Sequence, residues 1–267
     1  MVRQPAVAGQ FYIDDPQRLR GELERLVPVS AAKRRVRGIV APHAGYIYSG
    51  SVAGTVYGGI EIPQTVVILG PNHHGFGASV ALYPDGEWLT PLGAVTVDAA
   101  LASLVREHVP SAETDTSAHR FEHSLEVQVP FLQHLRSDVR IVPLCLGFGD
   151  FERCRLLGEG LARAIRDFGG DVLIVASSDM THYESAEAAR KKDDQAIAEV
   201  LAMNPEGLLR VCRQKGITMC GVVPATVMLI AAKELGATKA ELVSYRTSGD
   251  VTGDNRQVVA YAAIAVY

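Results

Sequence analysis

Residues Ile39–Tyr48 read IVAPHAGYIY. The apolar, β-type run Val36–Ala41 stops at Pro42, and His43 follows at once. Gly45 frees the backbone, and Tyr46 and Tyr48 come next. This pattern predicts a strand that delivers a side chain to a loop at its C-terminal end, where open α/β sheets place ligands. It recurs twice. Thr65–Leu69, TVVIL, runs into Gly70-Pro71-Asn72-His73-His74-Gly75, and Val172–Ala176, VLIVA, runs into Ser177-Ser178-Asp179-Met180-Thr181-His182-Tyr183. Three apolar strands each end in histidine, so the rest of the chain is expected to bring these ends together.

On either side of these motifs, strands and helices alternate. Residues 1–12 read as irregular and Pro16–Leu26 as a helix. Arg35–Ala41 is the first strand, the small-residue run Ser49–Gly58 a helix, and Thr65–Leu69 the second strand. Ser79–Ala81 and Glu87–Leu89 suggest a hairpin around Pro84-Asp85-Gly86. Asp98–Val105 has helical spacing with Asp98 placed to cap it, and Glu126–Leu135 reads as a helix with Pro130 near its start. Val139–Leu146 is a buried strand, Phe151–Phe168 a helix and Val172–Ala176 the third motif strand. Glu187–Leu201 and Pro205–Lys215 are amphipathic helices, and Val222–Leu235 is an apolar helix that Gly236 ends. Ala240–Tyr245 and Val258–Tyr267 close the sheet. No linker and no internal repeat divides the chain. The expectation is a single α/β domain over residues 1–267, with a largely parallel or mixed central sheet and helices on both faces.

With 48% hydrophobic and 21% charged residues, the 267-residue chain can build a sizeable core and is not disordered. A net charge of −4 gives no nucleic-acid or anionic-membrane surface. The N-terminus has no basic region followed by a long apolar core, so no export signal is expected. The apolar stretch Gly221–Ala232 is broken by Pro224 and is too short to span a bilayer. Cys145, Cys154, Cys212 and Cys220 form no CxxC and read as reduced thiols of a cytoplasmic protein.

Of the eight histidines, His43, His73, His74, His119, His123 and His182 fall in or near polar motifs, while His108 and His134 sit on ordinary helix-like segments. Imidazole suits iron, copper and zinc. In the His73-His74 pair adjacent side chains leave in different directions, so one is expected to enter the site. If a helix begins at Asp179, Asp179 and His182 share a face. The carboxylate then ligates metal, orients the imidazole, or caps the helix. Glu122 and Glu126 can complement a helix start, with His123 in the pocket. Cys220 precedes an apolar helix, a place that lowers a thiol pKa. With strands 36–41 and 65–69 side by side, their ends lie about 5 Å apart, and His43 and His73 converge. Ser248–Asp254 reads as a turn or a pocket rim. It is not a phosphate loop, and no GxSxG marks a hydrolase elbow.

Together the motifs resemble the Memo-like protein family. The matching segments are PAVAGQFY at Pro5–Tyr12, APHAGYIYSG at Ala41–Gly50, ILGPNHHG at Ile68–Gly75, TPLG at Thr90–Gly93, EHSLEVQVPFL at Glu122–Leu132, SSDMTHY at Ser177–Tyr183 and MCG at Met219–Gly221. The resemblance implies a fold similar to class III extradiol dioxygenases and a pocket equivalent to their iron site. It implies His43, His73 and Cys220 as metal ligands for iron or copper, with zinc also suited to that donor set. Asp179 and His182 would line the same pocket, together with His123, Tyr48 and His74. Where some members carry cysteine in the first motif, this chain has Ser49. The resemblance also implies a pathway link to radical-SAM and AMMECR1-domain proteins.

Three functional readings follow. In the first, a metal-dependent redox or oxygenase-type enzyme acts on a small-molecule substrate, with His182 as acid/base and Asp179 orienting it. In the second, a non-catalytic metal- or ligand-binding adaptor reuses the pocket. In the third, a metal-free Cys–His enzyme uses Cys220 as nucleophile and His182 or His43 as base.

Overall fold

A computed structural model describes residues 1–30 and 32–267. The chain opens with β1 (Val2–Arg3), α1 (Pro16–Leu26), β2 (Gly38–Ala41), α2 (Tyr46–Gly58), β3 (Thr65–Pro71) and β4 (Val80–Leu82). Next come β5 (Glu87–Thr90), β6 (Gly93–Val97), α3 (Ala99–His108), β7 (Glu113–Thr114), α4 (His123–Glu126) and α5 (Val129–Leu135). The middle holds β8 (Arg140–Leu146), α6 (Phe151–Phe168), β9 (Val172–Ser177), β10 (His182–Glu184) and α7 (Ala186–Leu201). The last are α8 (Pro205–Lys215), α9 (Val222–Glu234), β11 (Ala240–Thr247), α10 (Gly249–Thr252) and β12 (Val258–Val266). Local chemistry explains many boundaries. Asp15, Asp98, Asp150, Ser185 and Asn204 each accept a backbone N–H at the start of a helix.

Among the described residues the strands form one mixed sheet, ordered β1-β5-β6-β8-β3-β9-β2-β12-β10, with β11 on β12 and β4 on β8. Strands β8, β3, β9 and β2 run parallel, and β12 runs antiparallel to β2. Alternation along the central strands divides the core. Val40, Val67, Val142 and Ile174 pack beneath α3, α6, α7, α8 and α9. Ile39, Val66, Ile141 and Leu173 pack on the other face, beneath α1, α2, α4 and α5. Both faces are therefore covered, which is why these strands read as continuous apolar runs.

This layering places the site. The chain leaves β2 for α2 on one face, whereas it leaves the neighbouring β9 for α7 on the other. A crevice opens at the C-terminal ends of two strands whose continuations diverge.

Several expectations are corrected. Strands 36–41 and 65–69 are not neighbours, because β9 pairs with both and lies between them. The proposed hairpin does not form: β4 pairs with β8, and the hairpin is β5 with β6, which the sequence reading left out. The segment 126–135 is two short helices. Pro130 lacks the N–H that would bond to the Glu126 carbonyl, and the chain breaks at Val127-Gln128. Asp179 starts no helix, since His182–Glu184 is the short strand β10 against β12. Residues Val2–Arg3 are a strand beside β5 rather than irregular. Helix α2 begins at Tyr46 instead of Ser49, directly behind the histidine motif.

Candidate metal centre

His43 is 2% exposed, at the end of β2. Its Nδ1 lies 2.9 Å from the Ser177 hydroxyl. The single Ser177 proton is directed at the Ser124 carbonyl, 2.6 Å away. The same oxygen accepts from Gln128 Nε2 at 2.8 Å, and that amide is oriented by the Tyr57 hydroxyl on its Oε1. Ser177 can therefore only accept from His43, so Nδ1 carries the proton and Nε2 keeps its lone pair.

His73 is held by a different residue to the same effect. Its backbone N–H donates to Glu122 Oε2 at 2.7 Å, and its Nδ1 lies 2.8 Å from Oε1. Burial alone would raise the Glu122 pKa, but the His73 and Ser124 hydrogen bonds and the neighbouring imidazoles outweigh it and hold the carboxyl well below its usual range. An ionised Glu122 only accepts, so His73 also donates from Nδ1 and turns Nε2 outward. Gly70 makes this approach possible. A Cβ there would stand 2.6 Å from the Ser124 hydroxyl and 2.5 Å from Leu125.

The two rings meet, with centroids 5.3 Å apart, and His123 joins them at 4.6 Å from His73 and 5.4 Å from His43. One donor atom from each of the three lies within 4.8 Å of the others. Burial, then the nearby imidazoles, keep His43 well below the ordinary histidine range, and burial brings His123 to about 4. Neutral imidazoles with oriented lone pairs are what a transition metal requires.

Cys220 approaches from the loop before α9, its Sγ 3.1 Å from His43 Nε2. Gly221 lets that loop pass, since a Cβ there would stand 2.2 Å from the Ser177 carbonyl. Contrary to the sequence expectation, the Cys220 pKa is raised. Burial, and then the Asp179 charge, outweigh the hydrogen bonds from the Asp179 amide, Ser178 and the Gly221 amide. Asp179 Oδ1 accepts the N–H groups of His43 at 2.7 Å and Ala44 at 3.3 Å. Burial lifts the Asp179 pKa to about 6. His182 is half-buried beyond it, its Nδ1 3.1 Å from the Thr218 carbonyl. Asp193 pins the intervening loop through Thr181 and is held by the Tyr245 hydroxyl.

A cavity of about 880 Å³ covers this cluster and takes in His43, His73, His123, Asp179, His182 and Cys220. Tyr48 is in its wall, as are Ser248, Thr252 and Asp254 from the polar turn. Phe11 of the N-terminal segment joins the wall and packs against His123 at 4.8 Å. His74 is outside the lining. It turns the other way, toward the Phe121 carbonyl 3.0 Å from Nε2. His119 is buried between Tyr83 and Trp88, away from the cluster. A second cavity, of about 400 Å³, lies at the opposite ends of the strands beside Arg35, Arg37 and Arg136 and contains none of the histidine motifs.

The orienting roles of Ser177, Gln128 and Glu122 were not read from the sequence. Their only local signals are that Ser177 ends a motif strand and Glu122 precedes His123.

Residues 3–265 match the Memo-like protein family. A MEMO1 family protein of Aquifex aeolicus is 46% identical over 262 residues, covering 97% of each chain. One from Methanopyrus kandleri is 41% identical over 278 residues, covering 99% of this chain and 98% of the relative. In backbone, the chain is similar to the crystal structure of an uncharacterised protein of Escherichia coli K12. The TM-score is 0.56 at 14% identity, over 86% of this chain and 99% of the other.

Proposed function

The chain belongs to the Memo-like protein family, and we propose that it is a non-haem metal protein of redox or oxygenase type. His43, His73 and Cys220 are the ligands in this reading, for iron or copper, with zinc also accommodated. The observation that carries it is that the rings of His43 and His73 meet, each held by a bond at Nδ1, to Ser177 and to Glu122, which leaves Nε2 for a ligand. His123 completes the group of donor atoms that lie within 4.8 Å of one another, whereas Cys220 touches His43 without being in that group. When bound, the metal would supply Lewis acidity or electron transfer at the inner end of the cavity. The residues around it do the rest. Asp179, with a pKa lifted to about 6, can hold or release a proton near neutrality. His182 donates from Nδ1 to the Thr218 carbonyl, which leaves Nε2 free to accept a proton. Phe11 and Tyr261 give one wall an aromatic surface.

Metal content of protein purified without chelator, followed by oxygen consumption with catechols, tests this reading. Bound iron or copper with uptake supports it. Bound metal with no uptake leaves the adaptor reading. The 3.1 Å contact between Cys220 Sγ and His43 Nε2 favours a second reading, a metal-free Cys–His nucleophile. Alkylation of Cys220 that added metal does not slow would select that alternative.

A further inference from the structure

Resting on the reading of this cavity as a metal-centred substrate site, we propose that its substrate is a planar aromatic molecule that is neutral or cationic at the end remote from the metal ligands. Aromatic carboxylates and phosphates are disfavoured. Among the described residues no lysine or arginine lines the cavity. Its charged side chains are Asp179, deep beside the ligands, and Asp254, at the rim. Arg256 pairs with Asp254, but its side chain is 88% exposed and outside the lining. The wall is instead built of flat surfaces: Phe11, Tyr48, Tyr183 and Tyr261. Such faces take aromatic rings by stacking and cations by their negative quadrupole.

The backbone amides nearest the metal ligands are already engaged. At the start of α2 the amides of His43 and Ala44 are already taken by the Asp179 carboxylate, and that of Tyr46 by the Phe11 carbonyl. Before α9 the Gly221 amide is taken by the Ser178 hydroxyl. The anion position that a helix start offers is thus filled by the protein's own Asp179. An anionic tail entering this cavity would lose water and find a carboxylate rather than a partner. The net charge of −4 acts in the same direction.

Three catechols of similar size test this by calorimetric titration into the Zn(II)-loaded protein, where no oxidation intervenes: 4-methylcatechol (neutral), dopamine (cationic) and 3,4-dihydroxybenzoate (anionic). We expect the first two to bind comparably, and the benzoate at least about tenfold more weakly because like charges are placed together. Gln257→Arg, which puts a cation into the wall, should raise benzoate affinity by about tenfold. Benzoate binding as tightly as 4-methylcatechol, or failure of all three to bind a protein that holds zinc, would overturn the proposal. A preparation that takes up no zinc would overturn the metal reading instead. The charge order is then measured on the metal-free cavity, where the same order is expected.

Discussion

Ser177 decides which nitrogen of His43 faces the cavity, and Glu122 decides it for His73. Neither touches the inner end of the site with its own donor atoms, so their removal separates orientation from ligation. Glu122→Gln keeps the shape but can turn an N–H toward His73 Nδ1. Metal affinity should fall about 10- to 100-fold, the scale for a lost orienting partner. Unchanged affinity by competition with a chromogenic chelator would contradict this. Glu122 also makes a pH prediction. Its folded pKa is depressed, so the stability it contributes is present above the ordinary carboxylate value. That stability is lost as pH falls through that range toward the lower folded value. Parent and Glu122→Gln unfolding free energies, measured from neutral pH downward, should converge. Cys220 has the opposite sign. Its raised pKa means the apo protein holds a thiol at neutral pH. Metal binding through sulfur must therefore release a proton. Calorimetry in buffers of different ionisation enthalpy should detect that proton in the parent and not in Cys220→Ser.

At the scale of elements, the N-terminal segment and α4 form one unit. Glu126, buried in α4, accepts from Arg3 at 2.7 Å, the Ala6 and Val7 amides and the Tyr12 hydroxyl, while Arg3 lies over Trp88. This network carries Phe11 to His123. Arg3→Met leaves Glu126 buried without its cation and should cost about 3–5 kcal/mol in chemical denaturation. A loss no larger than that of an exposed arginine substitution would show that the pair does not hold the segment. Helices with their own period and caps were legible from sequence: Phe151–Phe168 and Pro205–Lys215 match residue for residue, with Asp150 and Asn204 at their starts. The half-exposed strand Gly93–Val97, paired on both sides, carries too weak an alternation to be read, and Pro130 marked a break that the continuous apolar pattern concealed.

For the molecule as a whole, the order of strands was the least legible property. Nothing within VLIVA says that β9 inserts between β2 and β3, because neighbours in a sheet are chosen by packing on both faces. The strand ends carrying His43, His73 and Asp179 were readable as motifs. The bonds that aim them join residues 134 and 49 positions apart and leave little local trace. The two cores share the same central strands, so neither face can melt alone. Calorimetric unfolding should therefore be a single transition, and two separable transitions would contradict a shared sheet.

In the proposed function, His43, His73 and Cys220 hold a transition metal at the head of this crevice. Anaerobic calorimetric titration of Fe(II) into the apo parent and single variants tests it most directly. His43→Ala, His73→Ala and Cys220→Ser should each bind at least about tenfold more weakly, on the scale given for lost metal-site partners, with unfolding midpoints showing a retained fold. His134→Ala, on α5 and outside the cavity, should bind like the parent. Three variants that bind iron like the parent, or His134→Ala as damaging as they are, would contradict the claim.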